Sequence, residues 1–409
     1  MNNTITAVGI DVSKGHSTVT FRQPGGIVVR KPFNVVHDRE SLSTLRDSIT
    51  QCGPNTRVIM EYTGRYYQPV ARYLCHSDIF LAVVNPKLIR DFGDNKLRKV
   101  KTDKADAKKI ADYGLTYWSG LMPYQSLDLK REQLKTLNRQ FDFYVKQKTA
   151  LTNNLISLLD MTYPGVEKFF SSPTREDGHQ KWVDFATSFW HVDCVLDAGP
   201  STFATRYEKW CKRCGYRCSP EASQIYEATK PLVATLPKDP ITKETLMGMI
   251  NILNTVSSTQ ESLRRKMDEI ASTFPEYPVV MEMFGVGPSL GPQLIAEIGD
   301  VRRFHSRGAI TAFAGVDPLK RHDSGQVVEN SVPTTKKGSP TLRCTLYKIM
   351  EVLLKTAPVD DPVYQFMMKK KSEGKPYHVY MTAGSNKFLR IYYGRVREYL
   401  ALLEDSDEN

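Results

Sequence analysis

Hydrophobic residues in the first 125 positions come in short runs divided by polar turns, a rhythm that predicts strands interleaved with helices. Ile5–Asp11, Thr18–Arg22 and Gly26–Arg30 read as three consecutive strands, separated by the turn Ser13-Lys-Gly-His16 and by a Pro-Gly-Gly break. Leu42–Ile49 has helical spacing, Val58–Glu61 is a fourth strand, Tyr66–Cys75 a helix and Ile79–Val84 a fifth strand. A basic connection then leads to a helix from about Thr102 to Tyr117.

From about Leu127 to Pro164 the apolar period changes to threes and fours, through Leu134, Leu137, Phe141, Val145, Leu151, Leu155 and Leu159. A less regular stretch rich in Ser, Pro, Gly and Cys follows, from Ser171 to Pro240. A second long helical pattern then runs from Thr242 to about Ser272. Two long helices bracketing an insertion predict an antiparallel hairpin, which fits a dimerisation arm and an intramolecular helical domain equally. Pro275 and Pro278 mark a boundary. Beyond it, Phe284 to Gly299 joins a Gly-rich turn to an apolar helix, the shape of a helix-hairpin-helix in which backbone N–H groups near Gly285 and Gly287 can hold a phosphate. The expected fold is therefore α/β plus α. Residues 1–125 form a ribonuclease-H-like domain, since three strands followed by alternating helix and strand is that domain's order. Residues 126–274 form a helical, coiled-coil middle with an insertion, 275–400 a mostly helical C-terminal domain, and 401–409 an acidic tail that is expected to be disordered from Glu404 to Asn409.

Charge narrows the partner. The 409 residues hold 56 Lys and Arg against 45 Asp and Glu, a formal net charge of +11, which suits a polyanion such as nucleic acid. No apolar run approaches the roughly 20 residues of a membrane span, and no basic-then-apolar leader opens the chain, so a cytoplasmic protein is expected. Seven cysteines, an odd number, fit a reducing compartment better than a disulfide framework. Cys211, Cys214 and Cys218 have zinc-like spacing, with Cys194 or His191 as a fourth ligand, yet no second closely spaced pair completes a zinc site. Trp182, Trp190 and Trp210 read as core residues.

The chemistry is carried by four acids. Asp11 and Glu61 each end an apolar strand, where a charge is unexpected, and Asp103 and Asp106 lie three apart on one helix face. Clustered carboxylates need compensation, and divalent cations with hard oxygen ligands supply it; two such ions can activate an attacking oxygen and stabilise a leaving one. The segment from Lys87 to Lys109 carries nine Lys or Arg against four Asp, and sets Lys96, Arg98, Lys99, Lys101 and Lys104 beside the acid pair as phosphate contacts. Downstream, Ser324 and Ser339 lie in Gly-containing turns among Lys320, Arg321, His322, Lys336, Lys337 and Arg343, cationic surroundings that would stabilise an alkoxide and a pentavalent phosphate. From chemistry alone the two serines compete.

These residues resemble a known family. Gly9-Ile-Asp-Val-Ser-Lys14, the Val-Asn-Pro86 step and Lys101-Thr-Asp-Lys-Ala-Asp-Ala107 resemble the N-terminal, RuvC-like domain of DEDD-type insertion-sequence transposases, the IS-one-ten family. Gly285-Val-Gly-Pro, Glu297-Ile-Gly-Asp, Phe313-Ala-Gly-Val-Asp-Pro318, Ser324-Gly and Lys337-Gly-Ser-Pro-Thr-Leu-Arg343 resemble that family's second transposase domain. The resemblance implies a site-specific DNA recombinase of a bacterial, nucleoid-associated kind, guided by a structured bridge RNA that pairs with donor and target DNA. It maps the four acids onto Asp11, Glu61, Asp103 and Asp106 with Mg²⁺ or Mn²⁺ bound. It also places the nucleophile at Ser324, which would form a phosphoserine link, and implies a dimer or tetramer whose two domains complete one site. Against it stand a junction-resolving nuclease that uses metals and water alone, and a nucleic-acid-binding protein without catalysis.

Overall fold

A computed structural model of the chain describes residues 4–62, 64–75, 77, 79–93, 102–124, 128–318, 322–323, 326–327 and 334–407. The chain divides into two compact units, 1–127 and 128–409.

The first unit contains β1 (Thr6–Val12), β2 (His16–Arg22), β3 (Val28–Val36), α1 (Arg39–Thr50), β4 (Thr56–Glu61), α2 (Gln68–Cys75), β5 (Phe80–Val84), α3 (Pro86–Gly93) and α4 (Asp103–Thr116). Its five strands form one sheet in the order β3-β2-β1-β4-β5. The β1–β2 and β2–β3 pairs are antiparallel, whereas β1–β4 and β4–β5 are parallel. This is the ribonuclease-H-like α/β arrangement expected from the order of apolar runs. Alternation sorts the side chains by face. Val8, Ile10, Val12, Val58 and Met60 pack with Leu42, Leu45 and Ile49 of α1 and with Val70 and Leu74 of α2. Ala7 and Ile59 face the other way, onto Ile110 and Ala111 of α4. The basic connection after β5 begins as helix α3, which the sequence reading left unassigned. Ile89 of α3 is buried with α4, and Asn85 Oδ1 accepts from Lys87 N at 2.9 Å to start the turn.

In the second unit, α5 (Leu129–Leu159) and α10 (Pro240–Ala271) are the two long helices the periodicity called for. They run antiparallel. Leu134 and Phe141 of α5 share a core with Met267 and Ala271 of α10, while Leu155 and Leu159 share another with Leu246, Ile250 and Leu253. The stretch between them is not irregular as expected. It forms α6 (Lys181–Ser188), α7 (Asp193–Leu196), α8 (Pro200–Cys214) and α9 (Ala222–Thr229) around an aromatic core of Phe185, Phe189, Phe203, Tyr207 and Trp210. Three of these helices, α6, α7 and α9, have only four to eight residues, too few to show a period, and the turns around them mask the longer α8. Trp182, Trp190 and Trp210 are buried there, as expected.

The remaining helices are α11 (Tyr277–Met281), α12 (Leu290–Ile298), α13 (Arg307–Ala314), α14 (Pro340–Thr356), α15 (Pro362–Ser372) and α16 (Tyr377–Asp407), with a small hairpin of β6 (His322–Asp323) and β7 (Gln326–Val327). They share one core with the N-terminal part of α5 and the C-terminal part of α10, across the boundary expected at 274–275. Helix α16 also corrects the expected disordered tail, because it continues through Asp407 and Arg302 pairs with Glu404. Tyr392, Val396 and Leu400 anchor its buried side, so the acidic end extends a helix already fixed by packing.

Candidate active site

A missing side chain brings the predicted acids together. A Cβ on Gly9 would lie 2.2 Å from the Ala107 carbonyl oxygen and 2.5 Å from Ala111 N, so only glycine lets α4 lie this close to β1. Gly114 does the same one face-turn further on, where a Cβ would lie 2.4 Å from Ile59 Cδ1. Arg22 on β2 adds an ion pair to Asp112 of α4 at 3.0 Å. Asp11 follows Gly9 by two residues and Glu61 follows Ile59 by two, so both carboxylates lie on the face that α4 covers. The register Ile10↔Met60 sets them side by side at the ends of two parallel strands. Asp103 and Asp106 both lie in the first turn of α4, Asp106 directly before Ala107. Thr102 caps that helix by accepting from Ala105 N at 3.2 Å, and the helix N-terminus itself favours anions.

Asp11 and Glu61 feel their surroundings. Burial, then the charges of Asp106 and Asp103, raise the Asp11 pKa to about 6, with His16 opposing. Burial and Asp11 raise Glu61 to about 7, with Asp106 adding and with Lys109 and Arg90 opposing. Among the described residues no three His, Cys, Asp or Glu side chains stand close enough together to form a ligand set. The donor chemistry nevertheless fits a hard divalent cation, since all four groups are carboxylates and a nearby positive charge would favour the ionised forms of Asp11 and Glu61. Lys109 and Arg90 were not singled out from the sequence. Lys109 stands three residues after Asp106, so helical spacing alone was enough to put it on the acid face.

Of the predicted phosphate contacts, Lys104 is exposed on α4, whereas Lys96, Arg98, Lys99 and Lys101 lie outside the described residues. So do Lys320, Arg321 and Ser324, the last of them between the paired residues Asp323 and Gln326. The base of that excursion is well defined. A Cβ on Gly338 would lie 2.1 Å from Phe313 O, and one on Gly315 would lie 2.7 Å from Gly338 N, so two glycines let the outgoing and returning strands touch. Ser339 N donates to Phe313 O at 2.7 Å, Thr335 Oγ1 to Asp317 Oδ1 at 2.6 Å, and Pro318 bridges to Thr334. Arg343 donates to Ala314 O at 3.0 Å, so its guanidinium braces this base. Lys336 and Lys337 are exposed, and Lys336 holds a left-handed backbone at φ +50°.

Ser339 proves to be an N-cap, accepting from Leu342 N at 3.2 Å while donating to Glu297 Oε2 at 3.1 Å. Glu297 is 1% exposed and also accepts from Asn138 and Arg139, each at 2.9 Å. Sequence reasoning missed this network because its members come from three distant helices. Gly285 has φ +78°, and a Cβ there would lie 3.1 Å from Ile349 O, so packing against α14 accounts for it; Gly287 borders open space. Of the zinc-like cysteines, Cys211 is buried in the aromatic core, where burial and a hydrogen bond with Cys218 raise its pKa to about 11; Cys214 is half-buried and Cys218 exposed.

A family model for DEDD-type IS110 transposases matches residues 8–164, and one described as "Transposase IS116/IS110/IS902 family" matches residues 277–365. The chain is 23% identical over 374 residues to the insertion element IS116 uncharacterized 44.8 kDa protein of Streptomyces clavuligerus, covering 90% of this chain and 88% of the relative. It is 21% identical over 344 residues to the pilin gene-inverting protein of Moraxella lacunata, covering 83% of this chain and 80% of the relative. Among solved structures it is similar to T. thermophilus RuvC in complex with a Holliday junction substrate, at 12% identity and a TM-score of 0.21, covering 29% of this chain and 99% of that one.

Proposed function

The chain belongs to the IS116/IS110/IS902 family of transposases and is a DNA recombination enzyme, and from that premise we propose that it exchanges DNA strands through a serine nucleophile assisted by its carboxylate cluster. The observation that carries this reading is the placement of Asp11, Glu61 and the Asp103–Asp106 pair, from three separate elements, on one face at the end of two parallel strands. Asp11, Glu61, Asp103 and Asp106 would hold Mg²⁺ or Mn²⁺. Such an ion supplies Lewis-acid stabilisation of the developing charge on the reacting phosphate. With Asp11 raised to about 6 and Glu61 to about 7, protons would compete with a cation for these two carboxylates, so cation binding and ionisation would be coupled at this cluster.

In the proposed reaction Ser324 Oγ bonds to a DNA phosphorus and loses its proton, while one P–O bond to deoxyribose breaks and the leaving oxygen is protonated. The phosphoserine link keeps a phosphodiester available for attack by a second strand's hydroxyl, which restores the serine. Lys320, Arg321, Lys336 and Lys337 supply the positive field around that phosphate, and Lys96, Arg98, Lys99, Lys101 and Lys104 track the backbone beside the acid cluster. A bridge RNA that pairs with donor and target would choose the site, in a homo-oligomer working on DNA in the bacterial cytoplasm. No helix among the described residues is long and apolar enough to cross a membrane.

The test is a covalent adduct. With labelled DNA, Mg²⁺ and the RNA that copurifies with the protein, the wild type should yield a protein–DNA species that survives denaturant, and Ser324→Ala and Asp11→Asn should not. Full strand exchange by Ser324→Ala would remove the serine mechanism and leave the hydrolytic one. Unchanged activity of Asp11→Asn in cells would remove catalysis by the cluster altogether.

A further inference from the structure

The helical insertion between the two long helices carries a positively charged face that the reaction above does not use. On α8, Arg206, Lys209 and Arg213 follow one another at helical spacing, all exposed, and border a cleft of about 620 Å³ with Lys238 on its far wall. Three other cations of this insertion are neutralised: Arg175 pairs with Asp177, Lys230 with Glu227, and Lys238 with Asp197 at 2.8 Å. Arg206, Lys209 and Arg213 have no such ion pair among the described residues, and Lys212 adds a further exposed cation beside them. Asp193 and Asp197 also line the cleft, but Lys238 already engages Asp197.

We propose that this face of α8 binds the phosphodiester backbone of a nucleic acid. It rests on the reading that the protein works on nucleic acid, and it assigns part of that contact to a segment with no recognisable motif. The spacing fits: seven residues of helix rise about 10 Å, roughly three axial steps of 3.4 Å along one strand, the span of four successive phosphates. The floor of the cleft favours backbone over base contact. Phe189 and Trp210 line it, yet both are packed into the aromatic core and leave no ring face for a base to stack on. Contact here therefore adds affinity without reading sequence. The phosphates could be those of DNA or of RNA, and the same measurement separates the two.

Full-length protein is titrated against a duplex DNA of arbitrary sequence and a hairpin RNA of equal length, by fluorescence anisotropy across a salt series. The triple variant Arg206→Gln, Lys209→Gln, Arg213→Gln should lower the slope of log affinity against log salt by about 2–3 for one ligand or both, since each lost phosphate contact removes about 0.9. The ligand whose slope falls is the one this face holds. Arg206→Lys with Arg213→Lys should keep the wild-type slope, because lysine retains the charge. If the triple variant does not fold, Lys209→Gln alone should lower the slope by about one contact. Unchanged slopes for both ligands in a folded variant overturn the proposal while leaving the strand-exchange reading intact. Failure of the wild type to bind either ligand overturns both.

Discussion

Carboxylates in the two units live under opposite rules. In the C-terminal unit the buried acids arrive with partners. Arg131 forks onto Glu276 through contacts of 2.5 and 3.1 Å, and Glu297 is held by Asn138, Arg139 and Ser339. In the N-terminal unit Asp11 and Glu61 are part-buried beside each other and near Asp106, and burial first, then the neighbouring negative charge, raises their proton affinities. A buried acid with its own donors is holding the fold together. Acids gathered against one another, with their pKa values pushed up, are arranged for something brought from outside.

Substituting one member of each set should break that contrast most visibly. Asp11→Asn should lower DNA strand cleavage by at least about 10²–10³-fold, the usual cost of losing one electrostatic contact to a transition state, with thermal stability in the absence of divalent cation unchanged or raised. A comparable loss of stability would place Asp11 with the structural acids. Arg131→Ala should do the reverse and cost about 3–5 kcal/mol, since Glu276 would be left buried and unpaired. Urea denaturation measures it, and a cost under about 1 kcal/mol, the scale of a surface pair, would show that Glu276 needs no partner.

Gly9→Ala sharpens the comparison by joining stability to activity. Its methyl would meet the Ala107 carbonyl, so α4 must shift, at a cost of about 1–3 kcal/mol. Cleavage should fall in the same variant, because Asp103 and Asp106 move with the helix. Wild-type cleavage in a destabilised Gly9→Ala protein would show that the cluster tolerates displacement. The smallest effect is that of pH. Asp11 and Glu61 bind protons more tightly folded than unfolded. Their contribution to stability is therefore largest below about pH 4 and declines as pH rises through about 6 and 7. Thermal melts of cation-free protein at pH 5 and 8 should show this decline reduced in Asp11→Asn, and Mg²⁺ should restore stability selectively at the higher pH. An identical pH profile in the variant would argue against the coupling.

Much of the first unit was legible because its strands are half-buried and alternate, and because a charge at the end of an apolar run has few structural excuses. Asp11 and Glu61 stood out for that reason. Arg90 was less visible, as an arginine on a basic helix looks like any solvated charge until the sheet beneath it is known, whereas the spacing of Lys109 from Asp106 was there to be read. The two long helices announced themselves through sustained spacing, whereas α6 to α9 did not, since α6, α7 and α9 have only four to eight residues and blur, with the turns around them and α8, into loop composition. The Glu297 network was unreadable for a different reason. Asn138, Glu297 and Ser339 are separated by far more sequence than any local pattern spans, and only the packing of α5, α12 and α14 brings them together.

The paired glycines at Gly315 and Gly338 have a consequence for how this chain can change. They hold both ends of the serine-bearing excursion at a single point, so length added between Pro318 and Thr334 alters reach without disturbing what supports it. Loop closure becomes harder by only about 0.6 kcal/mol for each doubling of length. The tether of the proposed nucleophile, Ser324, is thus adjustable at little thermodynamic penalty, while its point of attachment is not.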